Sequence, residues 1–175
     1  MRVILIIGIL IFSASKTIAC RCEDPGTVSE AYNYTEAIIH GKVIQKSFVT
    51  FESSMNIEKA DSLRIIFKGN DQKLKLLESE FIIEVQIEIL KVYKGELVGD
   101  TIKLYTSRNS ASCGFTRFEE GQDFIIYASS KSYAFRLFNS ESNLEKENTL
   151  WTNHCTRTTK YNASEDGKLN LIMKK

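Results

Sequence analysis

The chain has 175 residues, with 23 Lys and Arg against 22 Asp and Glu, and 43% of its residues are hydrophobic. That length suits one domain able to bury a real core, and the near-zero net charge excludes a nucleic-acid or anionic-membrane binder, since both need a basic excess. Two His and four Cys leave little material for a metalloenzyme or an acid–base active site.

Arg2 gives a positive start, Val3 to Phe12 is an unbroken apolar run, and Ser13 to Ala19 turns polar and small. This is the pattern of a secretory signal peptide over residues 1–19; the run is too short to span a bilayer, which needs about twenty apolar residues. Cleavage after Ala19 leaves Cys20 first and predicts a secreted, extracellular or periplasmic protein. The competing reading takes Thr17-Ile18-Ala19-Cys20 as a lipobox with Cys20 acylated and the chain anchored at the cell envelope.

In an exported chain four Cys read as two disulfides. Cys20 and Cys22, one residue apart, are strained if bonded to each other. Two pairings remain, each tying the N-terminus to Cys113 and Cys155. Loops of about a hundred residues closed in this way are worth roughly 4–5 kcal/mol each in chain-entropy models. The alternative, a zinc site of Cys20, Cys22, Cys155 and His154, has the spacing of no common zinc module.

Pro25-Gly26 is a turn. Thr27 with Glu30 forms a capping box, and Val28, Ala31 and Tyr32 mark the apolar face of a short helix. Ala37 to Phe51 reads as strand, with Ile39, Gly41 and Val43 on one side and His40 and Lys42 on the other. Residues 52–79 are charged and read as an inter-strand insertion, with an extra strand at Leu63, Ile65 and Phe67 before a turn at Gly69-Asn70-Asp71. Phe81 to Val92 is the clearest strand: Phe81, Ile83, Val85, Ile87 and Ile89 alternate with polar residues, and the apolar phase then flips to Leu90 and Val92. A one-residue phase change is what a β-bulge produces, and bulges coil sheets into barrels.

Thr101–Thr106, Asp123–Ala128 and Tyr133–Phe138 follow as strands, then a polar stretch over 139–149 that predicts a short exposed helix, and a polar tail over 161–175. The fold class is therefore mostly β: an OB-fold-like closed five-stranded Greek-key barrel with one or two short flanking helices, stapled by disulfides and spanning residues 20–160.

Several motifs then line up together. Cys20-Arg21-Cys22 opens the mature chain, Gly41-Lys42-Val43 and Val92-Tyr93-Lys94-Gly95 lie at strand ends, Ser110-Ala111-Ser112-Cys113-Gly114-Phe115 precedes Phe118 and Gly121, and Cys155-Thr156-Arg157-Thr158 comes near the end. Jointly they resemble the N-terminal domain of the tissue inhibitors of metalloproteinases, within the netrin-like group, over most of residues 20–158. The resemblance implies an OB barrel, the pairing Cys20–Cys113 and Cys22–Cys155, and a single-domain form without the later cysteines.

It also implies a chemistry. The free α-amino nitrogen and carbonyl oxygen of Cys20 chelate the catalytic zinc of a protease and displace its water. An α-amine titrating near 7.7–8.0 loses its proton readily on binding zinc, and catalytic zinc keeps an open position that the chelate fills. Arg21 points into the protease's primed-side pocket, with Cys22, Ala111 and Ser112 alongside. The chain needs no cofactor of its own beyond the zinc of a bound protease, and is expected as a monomer.

Family members carry a small Thr or Ser where Arg21 stands. A buried guanidinium without a partner costs several kcal/mol, so an inhibitory chain needs a target pocket that is acidic or open. The reading of another class is a secreted or lipid-anchored netrin-like module that binds an extracellular protein without inhibiting it. An enzyme is not expected, because disulfides leave no cysteine for nucleophilic work and no Ser/His/Asp motif is present. Asp61, Glu78 and Glu80 read as solvated, and His40, His154 and Trp151 as structural or surface residues. Asn33-Tyr34-Thr35 and Asn162-Ala163-Ser164 are glycosylation sequons.

Overall fold

The capping box forms as the sequence dictates. Thr27 Oγ1 accepts from the Glu30 amide at 3.2 Å, the Thr27 amide donates to Glu30 Oε2 at 2.6 Å, and helix α1 runs Val28–Tyr34 with Val28 and Ala31 buried. The computed structural model describes residues 20, 22, 24–135 and 144–174. The expected signal peptide (1–19) and Arg21 lie outside the described residues, as does 136–143, where the expected strand Tyr133–Phe138 and helix 139–149 partly fall.

Strand β1 (Ala37–Val49) is followed by a 3-10 turn at Glu52–Ser54 and helices α2 (Ile57–Ile66) and α3 (Asp71–Leu77). Then come β2 (Ile82–Lys94), β3 (Thr101–Ser107), β4 (Asp123–Ala128), β5 (Thr149–Trp151), β6 (Thr159–Lys160) and α4 (Ala163–Met173). The architecture is mostly sheet with disulfides: a mixed six-stranded sheet in the order β5-β3-β2-β1-β4-β6, antiparallel throughout except for the parallel β3–β5 pair. An isolated bridge also joins Ser129, just past β4, to Trp151 in β5 through two backbone hydrogen bonds of 2.9 and 2.7 Å.

The register of β1 on β2 slips three times, and one slip passes over Leu90, where the apolar phase flips. Leu90 itself is left exposed while Ile89 and Val92 lean on the core, so the bulge turns the odd residue out to solvent. Alternation explains the interior: Ile39 and Val43, Ile83, Val85 and Ile87, Ile102 and Leu104, and Phe124 and Ile126 share one face and pack with Phe115 and Phe118.

The opposite face is buried as well, which a simple in–out alternation does not anticipate. At one end Ile82, Tyr105 and Trp151 are covered by Phe51, Met55, Ala60, Leu63, Phe67 and Leu77 from the β1–β2 connection. At the other, Ile38, Ile125 and Tyr127 are covered by Val28 and Ala31 of α1 and Leu169 of α4.

Among the described residues the sheet has six strands where five are expected, and four further expectations are corrected. Leu63, Ile65 and Phe67 form no strand: Asn56 caps α2 by accepting from the Glu58 amide, and burial follows Ala60, Leu63 and Phe67 at helical spacing while Ile65 is 75% exposed. The tail at 161–175 contains α4, capped by Asn162, whose Oδ1 accepts from the Glu165 amide at 2.8 Å, and anchored by fully buried Leu169. Among the described residues of the expected Tyr133–Phe138 strand, Tyr133 to Phe135 are not strand, and Leu144 to Asn148 are not helical.

Gly167 sits inside α4 facing open space. Glycine in a helix interior costs roughly 0.5–1 kcal/mol against alanine, so Gly167→Ala is expected to raise stability by about that amount, read as a higher urea midpoint at unchanged slope.

Candidate functional site: the disulfide cluster and the 110–113 strip

Both disulfides pair as the resemblance implied, Cys20 with Cys113 and Cys22 with Cys155, and no cysteine is free. They lie against each other: Cys20 Sγ is 3.5 Å from Cys155 Sγ and 3.8 Å from Cys22 Sγ. The zinc set of Cys20, Cys22, Cys155 and His154 is therefore not assembled, since its three cysteines are oxidised. His154 is exposed, and its backbone N–H donates to the Cys113 carbonyl at 2.8 Å.

The loop after β3 positions Cys113. Asn109 Oδ1 accepts from the Ser112 amide and hydroxyl, both at 2.9 Å, which winds Ser110–Ser112 into one 3-10 turn. Cys113 closes the turn in the left-handed region at φ 62°, a conformation that costs a non-glycine residue free energy and persists only where its surroundings hold it. Here the holders are the Cys20 bond, its amide on Ser110 O and its carbonyl on the His154 amide. Gly114 then passes against the end of β3, and Phe115 donates its N–H to buried Thr106 Oγ1 at 2.8 Å.

Cys155 is held from the other side. Its amide donates to Asn153 Oδ1 at 2.7 Å. The flanking hydroxyls of Thr152, Thr156 and Thr158 form a chain of bonds between 2.8 and 3.0 Å that ends on the carbonyl of Tyr127 in β4. Arg157 forks onto Glu165 of α4 at 2.8 and 3.0 Å and also donates to the carbonyl of Gly26 in the N-terminal segment.

Cys20, Cys22, Ala111, Ser112, Cys113 and Cys155 are thus brought to one end of the sheet. Ser110, Ala111 and Ser112 are exposed and the four cysteines half-buried. An apolar groove of about 300 Å³, lined by Phe51, Leu76, Phe81 and Tyr133, opens beside Ser112 and Cys113. A second groove of about 490 Å³ runs along Cys155 between Tyr34, Trp151 and Asn153. Asn109 and Asn153 are not singled out in the sequence, where an Asn three residues ahead of Ser112 is the available signal; Gly114 is present there only as part of the Ser110–Phe115 motif.

The other singled-out residues lie elsewhere. His40 Nε2 is 3.2 Å from Asp123 Oδ2, with its ring stacked on Tyr161 at 4.3 Å. Asp61 is exposed and pairs with Arg64, Glu78 and Glu80 are exposed, and Trp151 is buried against Tyr105 and Phe135. Asn33 is exposed on α1, while Asn162 is exposed but serves as the α4 cap. Among the described residues no helix is long and apolar enough to cross a membrane. No protein-family model matches the chain, and no curated protein matches it.

Proposed function

We propose that the exported, processed chain is a monomeric inhibitor of zinc metalloproteases, of the kind the tissue inhibitors of metalloproteinases represent. Its α-amine and carbonyl at Cys20 serve as the zinc-chelating group. The observation that carries this reading is the bond from Cys20 to Cys113 at the end of an exposed Ser110-Ala111-Ser112 strip. A chelating N-terminus must be rigid, because immobilising it on binding otherwise costs affinity. Cys20 is tied to a residue that is itself fixed by two backbone hydrogen bonds.

The scaffold fits the same reading. The strand order with its parallel β3–β5 pair, together with the Ser129–Trp151 bridge that brings the end of β4 onto edge strand β5, supports an OB-type barrel. Arg21, between the two disulfide cysteines, enters the primed-side pocket of a target that offers it an acidic group or open solvent. The protein supplies the chelate and its rigidity, the protease supplies the metal, and no reaction is catalysed on this chain.

The test is to compare the chain beginning at Cys20 with one carrying a single alanine before it. Against a panel of zinc metalloproteases, the free N-terminus is expected to inhibit with 1:1 stoichiometry and the extended form to lose inhibition by at least a hundredfold. Equal binding of both forms to a protease or another extracellular protein, with or without the enzyme's zinc, favours the non-inhibitory binding module instead. Intact mass of the exported protein decides the prior question of a free or acylated Cys20.

A further inference from the structure

Tetrahedral zinc–thiolate sites have Zn–S distances near 2.3 Å, which places the four sulfurs about 3.8 Å from one another. The two disulfides of this chain already approach that arrangement. Cys20 Sγ lies 3.8 Å from Cys22 Sγ and 3.5 Å from Cys155 Sγ, and the sulfurs of Cys20, Cys113 and Cys155 all fall within 4.8 Å of one another. All four cysteines are half-buried, partly shielded from water yet reachable.

We propose that the reduced chain holds a tetrahedral four-thiolate site for zinc or a similar thiophilic divalent cation, made of Cys20, Cys22, Cys113 and Cys155. The site is latent in the disulfide form. Two equivalents of a dithiol reductant open it, each transferring two electrons and two protons to one disulfide and leaving as its own disulfide. Binding of the cation then expels the four thiol protons and forms four metal–sulfur bonds, so that affinity rises with pH.

Two of the four ligands are positioned without the disulfides. The His154 amide on Cys113 O at 2.8 Å ties the Cys113 turn to the 153–156 turn, and Asn153 Oδ1 fixes the Cys155 amide at 2.7 Å. The other two arrive as Cys-x-Cys, and their sulfurs already lie 3.8 Å apart. That segment is itself anchored by Arg157 on the Gly26 carbonyl. His154, exposed, is not a ligand in this set.

The inference is independent of any protease and is read without one. Cobalt(II) is titrated into the exported, purified chain after anaerobic reduction with a phosphine, and in parallel into the oxidised chain. The expected result is one equivalent of cobalt with thiolate charge-transfer and intense tetrahedral visible bands in the reduced chain only, displaced by zinc. Cys113→Ser is expected to weaken binding at least tenfold, His154→Ala to leave it unchanged, and denaturant to weaken it at least tenfold. Absence of thiolate bands overturns the proposal. So does binding that falls in His154→Ala but not in Cys113→Ser, or that is equally tight in denaturant, where unfolded cysteines rather than a folded site are responsible.

Discussion

Replacing Gly114 by alanine is expected to destabilise the protein by at least about 3 kcal/mol, and replacing it by valine to prevent accumulation of folded protein. A Cβ at this position meets the Ser107 carbonyl oxygen at 1.9 Å, the Ser107 carbonyl carbon at 2.7 Å and the Asn109 carbonyl oxygen at 2.8 Å. All three are backbone atoms. They cannot rotate aside as a side chain can, so the chain must move at the end of β3 or the loop must lift.

Either movement reaches the candidate site. The Gly114 amide donates to Asn109 O at 2.9 Å, and the neighbouring Cys113 must sit in its left-handed turn to meet Cys20. The measurement is urea denaturation together with a count of free thiols in the purified product. Gly114→Ala is expected to show a lower midpoint and a fraction of chains with Cys113 unpaired. A stability within about 1 kcal/mol of the parent, with both disulfides complete, overturns this account. Gly167→Ala is the matched control, because a Cβ there meets nothing and the expected change has the opposite sign.

The sequence is legible where one local rule acts alone. Thr27 and Glu30 cap α1 because both partners of the box lie within one turn, and the phase flip at Leu90 is a slip in the β1–β2 ladder. It is illegible where burial on two faces erases the alternation. Ile82 and Tyr105 are as buried as Ile83 and Leu104, because helices from the β1–β2 connection cover the outer face. In that connection Leu63, Ile65 and Phe67 obey a period of two as well as any strand does, and only Ala60 and the Asn56 cap separate the two readings.

Asn162 shows the same competition in another form. It reads as a sequon, yet Glu165 three residues on makes it a helix cap, and with Leu169 it marks α4. Strands β5 and β6, of three and two residues, are set by tertiary pairing with β3 and β4 and carry no local signal. Of the candidate site, the cysteines are readable and their pairing comes with the family resemblance. The groups that hold them, Asn109, Asn153 and the His154 amide, act mainly through or upon the backbone and leave little trace in residue type.

Arg157→Met is expected to cost about 3–5 kcal/mol at neutral pH, the penalty of leaving a buried charge without its partner. Glu165 is only 7% exposed, and it is met by the Arg157 fork and by the Tyr127 hydroxyl at 2.7 Å, with Lys168 contributing attraction. Burial alone raises its pKa. The hydrogen bonds from Arg157 and Tyr127 and the charge of Arg157 outweigh that, so the carboxyl is held below its ordinary 4.5. A carboxylate depressed in the folded state contributes stability that is present above its unfolded pKa and is lost as pH falls through its folded value.

The parent protein is therefore expected to lose this contribution only in acid, below about pH 4.5. Asp166, held low mainly by the Tyr93 hydroxyl, and Glu36, held low by the Ser130 amide, add to the same acid lability. In Arg157→Met the balance at Glu165 reverses. Burial then dominates, its carboxyl rises, and the folded state prefers it protonated. The deficit against the parent is thus expected to be widest near neutral pH and to shrink toward about pH 4, measured as urea midpoints across that range; a deficit independent of pH contradicts it.

The loss bears on function through Gly26. Arg157 joins the carbonyl there to α4 and lies two residues from Cys155, so removing it loosens the stretch between Cys22 and α1 and the Cys155 turn, while the disulfides still hold Cys20 and Cys22. If Cys20 is the chelating group, Arg157→Met weakens inhibition at neutral pH while its fold is still populated. Tyr127→Phe removes one hydrogen bond to the Glu165 carboxylate and leaves the Arg157 fork, so it is expected to cost about 1.5–3 kcal/mol of stability and, on the same condition, to leave inhibition as it was.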